Sequence, residues 1–209
     1  CAALYIGSYD YPKVYPYLTF SGSGSATFKG GNSDKNSCGI YSISNAIMSG
    51  TGTVTAEGGT CGAGGYYGYG SYGIYLGGTT DDYASYVGLN KGNVVAIGAN
   101  GGKYSYGVYG KISFPKFDTY AGEFTAHSAE STYSAAISQM PLYEMNASDR
   151  VLVGSTEYDG SNLIAFDPVY TNMYRYLTVR SASAGARVTG DLTAKACTAD
   201  TLTVTPVKP

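Results

Sequence analysis

Short runs of alternating apolar and polar residues predict strands, because successive side chains on a strand point to opposite faces. Thr53 to Thr55 and Asn93 to Val95 alternate, with Val54 and Val94 as their apolar members. In Tyr72-Gly73-Ile74-Tyr75 and Tyr106-Gly107-Val108-Tyr109 the same rule groups Tyr72 with Ile74 and Gly73 with Tyr75. With Ile40, Ile74 and Val108 turned inward, Tyr41, Tyr75 and Tyr109 face outward and stack as a ladder. Asn45-Ala46-Ile47-Met48 continues a strand. Arg150 to Val153 and Asn162 to Phe166, joined across Asp159-Gly160, read as a hairpin, and Tyr174 to Val179 alternates cleanly. Helical signal is confined to two stretches of one or two turns, Asp81 to Val87 and Thr132 to Met140.

The strand runs recur at one fixed interval. Gly39-Ile40-Tyr41 is followed by Gly73-Ile74-Tyr75, and that by Gly107-Val108-Tyr109 at the same distance again. Ser37-Cys38, Ser71-Tyr72 and Ser105-Tyr106 precede them in turn. Upstream of each lies a segment ending in glycine, at Gly30, Gly58 and Gly98. The path from that glycine to the tripeptide is equal in the first and third copies and longer in the middle one. The middle copy therefore carries an insertion, which lies within Cys61 to Gly70. Phe124 to Ala126 and Tyr133 to Ile137 form a degenerate fourth copy.

Two strand segments in each repeat predict an all-β fold, a parallel β-solenoid (β-helix) of about three to four repeat units with β-rich caps. Residues 1–20, aromatic and interrupted by Pro12 and Pro16, are expected as the N-terminal cap. Residues 21–140 hold the repeats and 141–180 a C-terminal β cap; 181–209 are a linker and a terminal strand segment.

The strings LTFSGSGSATFKGGNSDKNSCGIYSI and GTVTAEGG…SYGIYLGG resemble the Gly/Thr-rich parallel β-helix repeats of secreted and cell-surface bacterial proteins, often described as carbohydrate-binding-domain-containing. The resemblance covers residues 18–138. It implies a solenoid scaffold outside the cell, extracellular or on the cell surface, with glycans or host-surface proteins as partners. The chain departs from the pattern in its Gly/Tyr insertion and its fading fourth copy.

Charged residues make up 13% of the 209, about half of what is usual, and the net charge of −2 with scattered Lys and Arg removes the electrostatic footprint of a nucleic-acid binder. No apolar stretch is long enough to span a membrane. Cys1 fits the lipidated cysteine that begins mature bacterial lipoproteins, and a fragment boundary is the plainer reading. Cys38 occupies a tyrosine position of the other copies, as a small buried hydrophobe or as one half of a Cys38–Cys61 disulfide.

Convergent chemistry is sparse. Asp81 and Asp82 are adjacent and read as a solvated turn. Glu123 and His127 share strand parity, so a Glu–His pair is conceivable beside the plainer lone histidine. No nucleophile elbow or phosphate loop is present, and GAGGYYGYGSYG lacks a strand–turn–helix context. Four cysteines without CxxC spacing and a single histidine argue against zinc, and no cofactor is expected. The expectation is a non-enzymatic module, adhesive or carbohydrate-binding, with Tyr66, Tyr67, Tyr69, Tyr72 and Tyr75 as the ligand-binding residues. The alternatives are a self-assembling fibre, surface-layer or phage tail-fibre component, a homo-oligomer through the solenoid ends, and a polysaccharide lyase or glycosidase.

Overall fold

The computed structural model describes residues 1–7, 18–43, 45–62, 69–77, 86–100, 102–113, 120–139, 151–154, 164–165 and 174–180. Within these the protein is all-β: β1 (Ala2–Ile6), β2 (Leu18–Phe20), β3 (Ser25–Lys29), β4 (Ser37–Ser42), β5 (Ala46–Met48), β6 (Thr53–Glu57), β7 (Gly70–Leu76), β8 (Tyr86–Leu89), β9 (Asn93–Gly98), β10 (Tyr104–Ser113), β11 (Phe124–Ser128), β12 (Tyr133–Gln139), β13 (Val151–Gly154), β14 (Ile164–Ala165) and β15 (Tyr176–Val179).

Strands three apart in the chain, and two apart from β8 onward where β10 serves two rows, pair in parallel and form three rows. The first is β1-β4-β7-β10-β12, with Cys38 on Tyr72, Tyr72 on Tyr106 and Ile74 on Val108. The second is β2-β5-β8, completed by the far half of β10, whose Lys111 pairs with Tyr86. The long strand β10 thus joins two rows into one sheet. The third row, β3-β6-β9-β11, starts a second sheet that β15, β13 and β14 extend antiparallel. The hairpin read from sequence is present, with Leu152 opposite Ala165 and Val153 opposite Ile164.

The apolar members of all three rows meet between the sheets. Ile40, Ile74, Val108 and Ile137 come from the first row, Met48, Leu89 and Ile112 from the second, and Val54, Val94 and Phe124 from the third, all buried. Inside this core an apolar cavity of about 10 Å³ lies among Phe20, Ile40, Ala46, Met48, Val54, Ile74, Val87 and Val94.

Two expectations change, those for Thr132 to Met140 and for Asn45 to Met48. Residues 133–139 of the helical stretch Thr132 to Met140 form strand β12, because Ile137 falls in register with Val108 and buries with Ala136 in the core. Residues 1–20 supply β1 and β2, which pair with β4 and β5 as the first members of two rows. Asn45 to Met48 yields β5, a strand of the second row in its own right. Of Asp81 to Val87, only Tyr86 and Val87 are described and they lie in β8; Asp81, Asp82 and residues 181–209 fall outside the described residues.

A candidate functional site on the tyrosine face

The recurring Ser-x-Gly-Ile/Val-Tyr string has a physical reason at each position. Ser37, Ser71 and Ser105 are fully buried. The Ser37 hydroxyl donates to the Gly31 carbonyl at 2.7 Å and accepts from the Gly59 N–H at 2.8 Å. Ser105 does the same with the Ala99 carbonyl at 2.8 Å and the Ala129 N–H at 3.1 Å, and Ser71 accepts from the Ala99 N–H at 2.9 Å. Each serine thus ties one layer to the next at the start of the first row.

The glycine meets the facing sheet. A Cβ at Gly39 would lie 2.5 Å from the Glu57 amide nitrogen, one at Gly107 would lie 2.8 Å from that of His127, and one at Gly73 would strike that of Ile97. Glycine and the following Ile or Val therefore both turn inward. This corrects the strict alternation expected from sequence. Tyr72 does not share a face with Ile74; it lies on the outer face with Tyr75, its ring edge-on to Tyr75 at 4.9 Å. The backbone can take this bend because the glycine has no side chain to place.

The phase shift gathers tyrosines from neighbouring columns onto one outer face. Tyr5, Tyr41, Tyr75 and Tyr109 stack at 5.4, 5.1 and 4.9 Å with planes within 11° of parallel, the ladder expected from the spacing with Tyr5 as a further rung. Tyr72 and Tyr106 form a second column, 6.2 Å apart and within 3° of parallel, and both pack edge-on against Tyr109. Tyr104 and Tyr133 form a third, at 5.3 Å. Such pairs contribute about 0.5–1.5 kcal/mol each beyond the area they bury. Stacking closes the ring faces within the columns and leaves ring edges outward. The two large exposed rings among the described residues are Tyr5 (45%) and Tyr133 (51%).

Burial raises the pKa of Tyr72, Tyr75 and Tyr106, and the neighbouring phenols raise it further. Cys38 takes the tyrosine position of the second column beside Tyr72, and burial pushes its thiol up to about 12 against the opposing pull of the N-terminal ammonium. Burial likewise raises Cys61. Tyr72, Tyr75, Tyr106, Cys38 and Cys61 are therefore held in their neutral, protonated forms.

Cys1, Cys38 and Cys61 are free thiols, so the Cys38–Cys61 bridge is not formed. The Cys61 Sγ instead donates to the Gly70 carbonyl at 3.2 Å, closing the neck of the insertion, and the Gly70 N–H donates to the Asn36 side chain at 3.0 Å. An open depression of about 520 Å³ adjoins this neck, lined by Asn32, Ser33, Asp34, Thr60, Cys61 and Gly62. Cys1 is exposed, its ammonium donating to the Asn36 carbonyl at 2.8 Å.

Of the tyrosines expected to bind ligand, Tyr66 and Tyr67 lie outside the described residues and Tyr69 is half-buried. Tyr75 is half-buried within the ladder, and Tyr72, 5% exposed, presents no open ring face. The Glu123–His127 pair is not assembled. The extended chain between them puts the two about 13 Å apart. The carboxylate acting on His127 is that of Glu57, and burial outweighs it, lowering the histidine pKa. No group of three or more metal-ligating side chains occurs among the described residues, and no helix there is long and apolar enough to cross a membrane.

Sequence reasoning missed Tyr104, Tyr106 and Tyr133 as members of the face. The signal lay in Tyr104-Ser105-Tyr106, two tyrosines on one side of a strand, and in the degenerate copy that sets Tyr133 beside Tyr104. No family model, no curated protein and no solved structure matches the chain.

Proposed function

We propose that the chain is a non-enzymatic, extracellular parallel β-solenoid module of a bacterial surface protein, and that its tyrosine face binds an extended glycan. The observation that carries this reading is the face itself: Tyr5, Tyr41, Tyr72, Tyr75, Tyr104, Tyr106, Tyr109 and Tyr133 brought together in three columns. The ladder repeats at the strand spacing, close to the rise per sugar of an extended polysaccharide, so successive phenols meet successive rings of such a polymer. The raised pKa values of Tyr72, Tyr75, Tyr106, Cys38 and Cys61 suit hydrogen bonding and contact better than nucleophilic attack. The parallel rows and the Gly/Thr-rich repeats support the solenoid reading.

A glycan array and affinity electrophoresis against soluble polysaccharides test it. The Tyr41→Phe/Tyr75→Phe/Tyr109→Phe variant keeps the rings and removes the hydroxyl row. Weakened retention on the glycan bound by the wild type is expected. Wild-type protein that binds no glycan refutes the reading, and an unaffected triple variant removes the ladder from it.

One observation favours a second reading, assembly through an end. β1, β2 and β3 are terminal in their rows and have one strand neighbour each among the described residues, whereas the third row passes into antiparallel β15 at the other end. Such edges are templates for pairing. Sedimentation at rising protein concentration distinguishes the two, since a strictly monomeric species counts against assembly.

A further inference from the structure

We infer that Tyr133, Tyr104 and Lys103 form a subsite for an acidic sugar, a uronate residue of the bound glycan. The inference rests on the glycan-binding reading and names its ligand class. Tyr133 is the most exposed large ring among the described residues, at 51%. Tyr104 covers one of its faces at 5.3 Å with planes 22° apart. The Lys103 ammonium lies 5.4 Å from the Tyr104 centroid and 5.8 Å from that of Tyr133. These three distances make a nearly equilateral triangle. The ammonium is thus shared about equally between the two rings, and Tyr133 keeps half of its surface open to solvent.

An exposed aromatic ring with a cation placed against it matches one chemistry well. The apolar C–H face of a pyranose stacks on the ring, and a carboxylate on that sugar reaches the ammonium. The cation–π contacts hold the lysine in place without neutralising it, and it makes no salt bridge among the described residues. Glu130, the carboxylate closest in sequence to Tyr133, is turned to Arg175 at 3.7 Å. A chain of net charge −2 with scattered cations offers no basic track for a nucleic acid, so a single placed ammonium speaks for a single carboxylate.

The experiment is calorimetric titration of the whole chain with an oligogalacturonate, its methyl-esterified form and a neutral gluco-oligosaccharide. The wild type is expected to bind the free acid most tightly. Lys103→Met keeps the aliphatic stem and should weaken binding of the acid alone, by about three- to tenfold. Lys103→Arg restores it, and Tyr133→Ala weakens acid and ester together. Added salt should erode the wild-type preference for the acid and leave Lys103→Met unchanged.

Equal affinity of acid and ester, or full acid binding by Lys103→Met, overturns the subsite. Binding of neutral glycans without uronate preference overturns it while the glycan reading stands. Absence of any glycan binding, with a single-stranded oligonucleotide retained through Lys103, overturns both.

Discussion

Replacing Gly73 by alanine adds one methyl group at the most crowded point between the two sheets. Its Cβ would strike the Ile97 amide nitrogen and stand 2.6 Å from the Gly107 carbonyl oxygen and 2.8 Å from that of Ala56. All three are backbone atoms on three different strands, so no side chain can rotate away. β7 must retreat from the facing sheet, loosening Ile74 and its neighbours. Overpacking of this kind costs about 1–3 kcal/mol. The entropy that alanine removes from the unfolded chain returns at most about 0.4–1 kcal/mol. The expected net loss is about 1 kcal/mol, or about 2–4 °C in Tm for a chain of this length. Urea denaturation followed by circular dichroism, with a thermal scan, measures it. Gly24→Ala is the control, because nothing lies within 4 Å of its Cβ and its stability should hold or rise. A Gly73→Ala protein whose urea midpoint equals or exceeds the wild-type value refutes the claim that glycine is needed there for close approach.

Two pH effects follow from the buried groups. The Cys38 thiol titrates at its ordinary 9.0 in the unfolded chain and near 12 in the fold, so the unfolded state gains as pH rises between these values. Stability should fall there by at most about 1.4 kcal/mol per pH unit for this group, with Tyr72, Tyr75 and Tyr106 adding in the same direction from above 10.0. Denaturation midpoints of wild type and Cys38→Ala across this range check it, and a slope unchanged in the variant sinks the assignment. His127 has its pKa lowered by burial, so stability should be full above 6.5 and decline as pH falls below it. As the chain has one histidine, a proton NMR titration reads it directly, and His127→Gln should flatten the acid limb.

The sequence was most readable in the first row. Its register partners Cys38, Tyr72 and Tyr106 follow one another at equal intervals along the chain. That constancy assigned Ile40, Ile74 and Val108 to the core and Tyr41, Tyr75 and Tyr109 to the ladder. In the second row the successive partners Leu18, Ala46, Val87 and Ile112 stand at unequal intervals. No fixed spacing exists there, and its short strands carry too little alternation to declare themselves. The side of Tyr72 was misjudged because alternation is a rule about regular strands, whereas the chain bends at Gly73 under pressure from a sheet distant in sequence. The helical reading of Thr132 to Met140 failed for a related reason. Ser134-Ala135-Ala136-Ile137 is locally indifferent, and pairing with β10 decides its conformation. Lys103 could not be placed beside Tyr133 from sequence, since the two are far apart along the chain and only strand register brings them together.

The buried serines at the head of the first row act as a phase-resetting device. Whatever path the chain takes between visits, Ser37, Ser71 or Ser105 re-anchors it to the neighbouring layer by one hydroxyl before the glycine and the tyrosine are laid down. Length changes elsewhere in a layer then accumulate no error along the stack. A longer or shorter path through Cys61–Gly70 would then leave the rings laid down after Ser71 in phase with their neighbours.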